Sequence, residues 1–356
     1  MHDAEPVNEA VNEAAAMRAI ADWYHAAFTG VLLAAVVRLG TPVAADLVFR
    51  VFDRQREARF LPGLAKLGLD HLPHAVAAAS YHYLSNDVGG VAVQFMPESE
   101  RKAWVRYVPP RWIWAGTALC AIPDELTVAM LRGWHARNGV SLGNPRLGFV
   151  CTKTTTAGDA ALEGYYLEYD HELAPDERLR FARDEDGPAF DPARAPALSS
   201  ASWPAQRLAK AHRNYAMEYL RTLLPVAFEA LGDDTAAMVL GLALKQVGLQ
   251  HAHEAAHTLG LAPPTGAQAF ADFLTTMARG QGDRATLHVD GDRRVVVQQG
   301  LRLLDGTGAA AEIPVRTWAR LWEGALASFD PRLVMSTDCS VDAGRVTVTW
   351  TIGPAR

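Results

Sequence analysis

The chain has little of several features that would narrow its function at once. Of its 356 residues only three are cysteines (Cys120, Cys151 and Cys339), and no two of them form a C-x-x-C pair. This excludes a disulfide framework and favours reduced thiols, as in a cytosolic protein. Lys and Arg number 34 against 40 Asp and Glu, so the formal net charge of −6 provides no basic surface for nucleic acid.

Long apolar runs are also missing near the N-terminus. The longest, residues 26–37, contains Thr29 and Gly30 and ends at Arg38, whereas a membrane-spanning helix needs about 20 apolar residues. The acidic, polar start of the chain differs from the basic start and apolar run of a secretory signal. We therefore expect a cytoplasmic protein without a membrane anchor, and this run is predicted to be a buried helix.

The composition changes between residues 170 and 197. This stretch carries eight acidic and four basic residues together with Pro175, Pro188, Pro192 and Pro196, and it has few aliphatic side chains. Prolines and like charges both oppose packing, so the stretch is predicted to be an extended connector.

The segments on either side of this connector resemble each other. Residues 39–69 align without a gap on residues 231–261 at an offset of 192, and both begin with L-G and end with L-G-L. Further along, Ile122-Pro123 and Gly133 match Ile313-Pro314 and Gly324 at an offset of 191, and "NPRL" at 144–147 resembles "DPRL" at 330–333. The constant order and nearly constant offset indicate a tandem duplication.

Each half is predicted to run helix–helix–β–β–helix–β–β, with a further helix before the first hairpin. Alternating "VAVQF" and "WVRYV" predict one hairpin, and Asp290-Gly291 is a favourable turn for another. The fold class is therefore α+β, with two tandem, pseudo-symmetric units and antiparallel sheets. The predicted domains are residues 1–170 and 206–356, joined by an acidic, proline-rich linker at 171–205. We expect the two halves to pack on each other through their first helices.

This order of elements resembles the α/β fold of TRAPP subunits and of four-vinyl-reductase domains, which bind small hydrophobic ligands. The spacing of the L-G and L-G-L pairs, the I-P pair and the late W-T-I strand is similar to that of the 2-amino-thiazoline-4-carboxylate hydrolase family. The resemblance covers both halves. It implies either a ligand-binding protein or a hydrolase, and it assigns no catalytic residue.

The stretch "HEAAH" matches the H-E-x-x-H pattern, in which two histidines bind zinc and a carboxylate activates water. His253 and His257 would be the ligands and Glu254 the general base. A catalytic zinc needs a third protein ligand. The longer metalloprotease signature places a histidine at the position that Pro263 occupies here, and proline cannot bind a metal. Glu323 is the best remaining candidate for the third ligand. In the first half, the matching positions Leu61 and Ala65 are apolar, which predicts that the histidines point inward. The favoured interpretation of His253 and His257 is a structural or ligand-contacting pair.

Other candidate site residues form no complete motif. Cys151 and Cys339 lie on matching strands as weak candidate nucleophiles, and His71, His74 and His82 have a spacing compatible with a metal. For the cysteines the favoured interpretation is packing in the core, and for the histidines it is a cluster that arose by chance.

The stretch "RYVPPRWIW" places a tyrosine, an arginine and two tryptophans just after the second strand, at Tyr107, Arg111, Trp112 and Trp114. Arginine beside aromatic rings can hold a planar or anionic ligand. Ordinary packing of the tryptophans is the favoured alternative.

The leading hypothesis is a cytoplasmic protein that holds a partly apolar small molecule between the helices and the sheet of one or both halves. One alternative is hydrolysis of a C–N bond in a cyclic amidine or thiazoline. The other is a zinc-dependent hydrolase that uses the HEAAH helix. We expect no cofactor, with zinc as the alternative, and neither nucleic acid nor membrane as a partner.

Overall fold

The computed structural model describes residues 5–109, 116–198, 200–304 and 311–355. The first half of the chain contains helices α1 (Glu5–Leu39), α2 (Thr41–Leu67), α3 (His74–Val88), α4 (Asp124–Gly133) and α5 (Asn138–Ser141), with strands β1 (Val93–Ser99), β2 (Lys102–Tyr107), β3 (Leu147–Lys153), β4 (Leu162–Glu168) and β5 (Leu179–Phe181). The second half contains helices α6 (Ala205–Leu231), α7 (Asp233–Thr258), α8 (Gly266–Gln281) and α9 (Glu312–Phe329), with strands β6 (Arg284–Asp290), β7 (Arg293–Gln299), β8 (Leu333–Asp342) and β9 (Arg345–Pro354).

The two halves form sheets of the same strand order, so the predicted α+β class is confirmed. One sheet runs β1-β2-β4-β3-β5 and the other β6-β7-β9-β8. All pairings are antiparallel except that of β5, which lies parallel to β3 and was not predicted. In both sheets the two hairpins are separated by a helix, which agrees with a duplicated unit.

Glycines with positive φ mark the same positions in both repeats. Gly40 and Gly232 precede α2 and α7 with φ of 89° and 76°, and Gly68 and Gly260 follow these helices with φ of 69° in each case. This left-handed region disfavours side chains with a Cβ, so glycine is the natural residue there. The repeated L-G and L-G-L pairs therefore encode the two ends of one helix.

The compact units of the chain differ from the predicted domains. One unit joins the chain up to Ala34 to Ala205–Arg356, and the other is Ala35–Pro204. The first helix lies in the unit of the second half because its aromatic side chains pack there. Trp23 contacts Trp322 edge-on at 5.1 Å between ring centroids, and Phe28 lies 4.8 Å from Tyr219. Sequence similarity shows which segments correspond, but not which segments pack together.

Helix α1 is apolar around most of its circumference. By length and composition, Glu13–Leu39 is one helix that could cross a membrane, but 61% of its most apolar window is buried within the structure. A helix that is hydrophobic on all sides is typical of the core of a large folded protein as well as of a membrane span. The burial of Ile20, Tyr24 and Val31 supports the predicted core helix.

The predicted linker is a folded part of the Ala35–Pro204 unit rather than a tether. Strand β5 pairs with β3, and Ala182 and Phe190 pack on an apolar cluster on the outer face of the sheet, made of Met96, Trp104, Val150 and Tyr165. Charge and proline content predicted an extended segment. They did not reveal that the outer face needs a cover to bury its aromatic side chains.

A buried ion pair fixes this cover. On the outer face of the sheet, Arg106 Nε donates to Glu163, which also accepts from Thr152 Oγ1 at 3.0 Å and from the backbone nitrogen of Gly187 at 2.9 Å. Arg106 in turn donates to the carbonyl oxygens of Gly187 and Pro188. The acidic segment is thus held through its backbone, and a buried carboxylate is fully paired.

In each unit, glycine allows two helices to touch at the backbone. A Cβ on Gly133 of α4 would lie 2.6 Å from the carbonyl oxygen of Phe49 in α2. In the second repeat, a Cβ on the corresponding glycine of α9, Gly324, would lie 2.1 Å from the Lys245 carbonyl oxygen of α7. A Cβ on Gly248 of α7 would lie 2.0 Å from the Leu321 carbonyl oxygen. No side chain fits at these distances, so the matching glycines of the repeat set the spacing of the helices.

We predict that Gly248→Ala lowers the free energy of unfolding by about 2–3 kcal/mol, because the new methyl group must push the backbones of α7 and α9 apart. Gly241→Ala, in the same helix, is the matched control. Its Cβ would meet side chains and no backbone, Arg320 Cγ at 3.3 Å and Thr317 Cγ2 at 4.0 Å, and alanine favours the helix by up to about 1 kcal/mol. Urea unfolding measures both variants, and equal stability of the two would contradict this account.

Candidate functional site

The HEAAH histidines lie on the surface of α7, so the expectation that they point inward is wrong. His253, Glu254 and His257 are all exposed. His253 Nε2 lies 3.3 Å from the carbonyl oxygen of Ser328, and its ring contacts Phe329 edge-on. The helix instead buries the alanines beside them, at Ala252, Ala255 and Ala256.

The remaining parts of a zinc site do not converge with these histidines. Glu323, the candidate third ligand, forms an ion pair with Arg320. Within the described ranges, no group of three His, Cys, Asp or Glu side chains is arranged to hold a metal ion. The histidines His71, His74 and His82 are likewise separated, since His74 bonds to Asn144 and His82 belongs to a different cluster.

The two candidate cysteines lie in different units and are poor nucleophiles. Burial raises the pKa of the Cys151 thiol to about 12, and its Sγ faces the Lys153 carbonyl oxygen at 3.5 Å. Burial also raises the pKa of Cys339, followed by the nearby charge of Glu312. A nucleophilic cysteine requires a lowered pKa, so the environment of these thiols opposes that role. Arg111, Trp112 and Trp114 lie outside the described residues.

Of the predicted ligand residues, Tyr107 does reach a concentration of buried polar groups. It joins His82, His135, Asn138 and Tyr166 in what we call the buried polar cluster, which lies between the helices and the inner face of the first sheet. His82 comes from α3, Tyr107 from the end of β2 and Tyr166 from β4. His135 and Asn138 follow the end of α4. All five are at most 4% exposed.

The hydrogen bonds of the cluster form a closed ring. Asn138 Nδ2 lies 2.9 Å from both His82 Nε2 and Tyr166 Oη. Tyr107 Oη lies 3.2 Å from His82 Nδ1 and 3.3 Å from His135 Nε2, and Tyr166 Oη lies 2.7 Å from His135 Nδ1. The two imidazole rings stack at 4.0 Å between centroids.

Both imidazoles of the cluster are neutral. Burial lowers the pKa of His82 well below its usual value, with the neighbouring His135 as a second cause, and burial lowers the pKa of His135 to about 3. Burial likewise raises the pKa of Tyr166. Because no charged side chain belongs to the cluster, it can hold hydrogen-bonding groups in an uncharged, desolvated setting.

In one of the two proton arrangements that neutral imidazoles allow, the hydrogen bonds run around the ring in a single direction. With the Asn138 amide nitrogen donating to His82 Nε2, the His82 proton sits on Nδ1 and is donated to Tyr107. Tyr107 then donates to His135 Nε2, and His135 Nδ1 donates to Tyr166, which also accepts from Asn138. Two groups are left over: the hydroxyl proton of Tyr166 and Asn138 Oδ1, which has no hydrogen-bond partner within the described part of the chain.

The second repeat shows what the fold requires at these positions. The sequence offsets match His82 with Leu274, His135 with Leu326 and Asn138 with Phe329. The strand registers match Tyr166 with Ile352 and Tyr107 with Gln298. Four of the five counterparts are apolar, and all five are buried. The second repeat therefore closes this helix–sheet interface with apolar side chains at four of the five positions, and its one polar counterpart, Gln298, bonds to Asp283 and Trp350. The sequence signal for His135, Asn138 and Tyr166 was this difference between repeats.

Comparisons with known proteins identify no relative: no protein-family model, curated protein or solved structure matches the chain. The function is therefore argued from the geometry of the chain itself.

The unfolding free energy is predicted to depend on pH through His82 and His135. Because their pKa values are lowered by folding, the unfolded chain binds more protons below about pH 6.5, so stability is complete above that pH. It should then fall as the pH is lowered, by about 1.4 kcal/mol per pH unit for each histidine, and for His135 this loss extends to about pH 3. Urea unfolding between about pH 7.5 and about pH 5 should show a shallower slope for His135→Leu. The exposed-site variant His253→Leu is the control, and identical slopes in His135→Leu and the unsubstituted protein would contradict the prediction.

We also predict that the purified protein contains less than one zinc per chain and that chelators leave its folding intact. Two exposed imidazoles bind zinc weakly without a third fixed ligand and without partners that orient the rings. Elemental analysis of protein made without a histidine tag measures this. One tightly bound zinc per chain, lost in His253→Ala, would make the HEAAH helix a metal site after all.

Proposed function

We propose that the chain is a cytoplasmic small-molecule-binding protein whose ligand is held at the buried polar cluster of the Ala35–Pro204 unit. One observation carries this proposal. Five uncharged polar side chains converge between helices and sheet, at positions where the other repeat buries Leu274, Leu326, Phe329 and Ile352 around a single glutamine.

The difference between repeats argues for a role beyond stability. Burying polar groups costs free energy that their hydrogen bonds only partly return, and any unpaired group adds a further penalty. At four of the five positions the second repeat has apolar side chains, which avoid that cost. A ligand that pairs with the leftover groups accounts for the retention of the cluster.

The leftover groups define the chemistry of such a ligand. Asn138 Oδ1 needs a donor and, in the proton arrangement described above, the Tyr166 hydroxyl needs an acceptor, and the two side chains are hydrogen-bonded neighbours. A ligand with an N–H or O–H beside an oxygen or imine nitrogen satisfies both, as an amide, a lactam or a neutral cyclic amidine does. The ligand is uncharged at this end, because the cluster provides no charge to balance it.

Aromatic rings around the cluster supply apolar contacts. Phe149 lies 4.6 Å from His135, and Tyr81 stacks with Trp134 at 6.4 Å between centroids. Such a mixture of apolar walls with a few fixed polar groups is typical of small-molecule sites. It also agrees with the resemblance to four-vinyl-reductase domains.

Hydrolysis of a cyclic amidine is the alternative that the other resemblance implies. A neutral histidine pair can transfer protons. The raised pKa of the neighbouring thiol, Cys151, argues against covalent attack. Binding makes fewer demands on the residues present and is the function that we propose.

The test compares neutral and charged probes of similar size. Benzamide and 2-pyridone carry a donor beside an acceptor, whereas benzoate carries a charge. We predict that at least one neutral probe raises the melting temperature and that benzoate does not. The variant Asn138→Leu with Tyr166→Phe removes both leftover groups and should abolish this effect. Tyr219→Phe, at a buried tyrosine of the other unit, should keep it.

Native mass spectrometry of the purified protein provides a second readout, since a natural ligand would appear as added mass that is lost in the double variant. Equal binding of benzoate and benzamide would contradict the proposed chemistry. Absence of any bound molecule or probe effect would contradict the binding function.

A further inference from the structure

Two arginines converge at Gly282, in the unit that contains the second repeat. Arg213 lies on α6 and is only 5% exposed, and Arg302 begins the short helical turn 302–304 after β7. A Cβ on Gly282 would lie 2.9 Å from an Arg213 terminal nitrogen and 2.8 Å from one of Arg302. These two nitrogens are therefore within about 6 Å of each other, where like charges repel.

Neither guanidinium forms an ion pair with a carboxylate among the described residues. Arg213 donates to neutral oxygens, at Asn214 Oδ1 and the carbonyl oxygen of Gly280, and the Arg302 side chain has no hydrogen bond there. Burial lowers the pKa of Arg213, and the charge of Arg302 adds to this effect. A buried cation next to a like charge is costly unless an anion compensates.

The acidic groups among the described residues that act on Arg213 leave this role open. Asp283 and Glu13 attract Arg213, but more weakly than burial and Arg302 act on it. The Asp283 carboxylate is engaged by the side-chain amides of Gln281 and Gln298, at 2.8 Å and 2.7 Å, and by the backbone nitrogen of Arg302 at 3.4 Å. Glu13 lies on the exposed surface of α1. Within the described part of the chain, the remaining N–H donors of the arginine pair thus have no acceptor and can bind an external oxyanion.

We propose that Arg213 and Arg302 form a binding site for an oxyanion, the phosphate or carboxylate group of a small molecule. Guanidinium groups bind such oxygens in pairs with a fixed planar geometry. Gly282, with φ of 94°, lets both guanidinium groups approach the backbone at a point that a Cβ would block. At an offset of 191, Arg302 also matches Arg111, which the sequence marks as a possible anion-binding residue in the first repeat. The site is independent of the buried polar cluster.

The test measures saturable binding of inorganic phosphate and of acetate, at constant ionic strength, by calorimetry and thermal shift. Arg302→Gln is the main variant because that side chain makes no bond that supports the fold, whereas Arg213 also caps the end of α8. We expect phosphate, acetate or both to stabilise the unsubstituted protein, with affinity about tenfold weaker in Arg302→Gln and partly restored in Arg302→Lys.

The control is Arg316→Gln, an exposed arginine of the same unit that pairs with Glu312 at 2.8 Å, and it should bind as the unsubstituted protein does. Binding of phosphate alone or acetate alone identifies the class of oxyanion. Equal affinities of the unsubstituted protein and Arg302→Gln, or no saturable binding of either anion, would overturn the proposal.

Discussion

Backbone contact between two helices, enforced by glycine, is the constraint on which both repeats depend. Gly133 and Gly324 occupy the same position in α4 and α9. Each allows its helix to contact backbone carbonyl groups, those of α2 and of α7 respectively. The residues that follow these glycines therefore lie at the interface between the helices and the sheet. In one unit they are His135 and Asn138, and in the other Leu326 and Phe329. The scaffold fixes where these side chains lie, but not their chemistry.

The two units have used this freedom differently. The Ala35–Pro204 unit buries a ring of neutral polar side chains beside α3 and β4. The other unit fills the matching space with apolar groups and places its buried carboxylate, Asp283, under the amides of Gln281 and Gln298. Trp350 completes this second network by donating to Gln298. Matching positions of the two repeats thus carry different chemistry on the same scaffold.

Patterns of local origin predicted the fold well. The repeated L-G pairs marked helix ends, and Asp290-Gly291 formed the β6–β7 turn as expected, with Gly291 at φ of 57°. Long-range packing was not predictable in the same way. The charge and proline content of residues 171–205 predicted a linker and did not indicate that this segment packs on the first sheet. The HEAAH spacing could not show which face of α7 is buried. Of the cluster, only Tyr107 was assigned to a ligand site, because no spacing links His135 or Asn138 to Tyr166 before the sheet brings them together.

The assignment of α1 to the unit of the second half has a consequence for synthesis on the ribosome. Trp23 and Tyr24 emerge first, but their partners on α9, Trp322 and Trp318, are translated roughly 300 residues later, a delay of about 15–60 s at common translation rates. The whole Ala35–Pro204 unit is translated before then. During this interval the aromatic face of α1 is exposed to water. The nascent chain should therefore bind chaperones that recognise apolar helices, until α9 is translated and packs on α1.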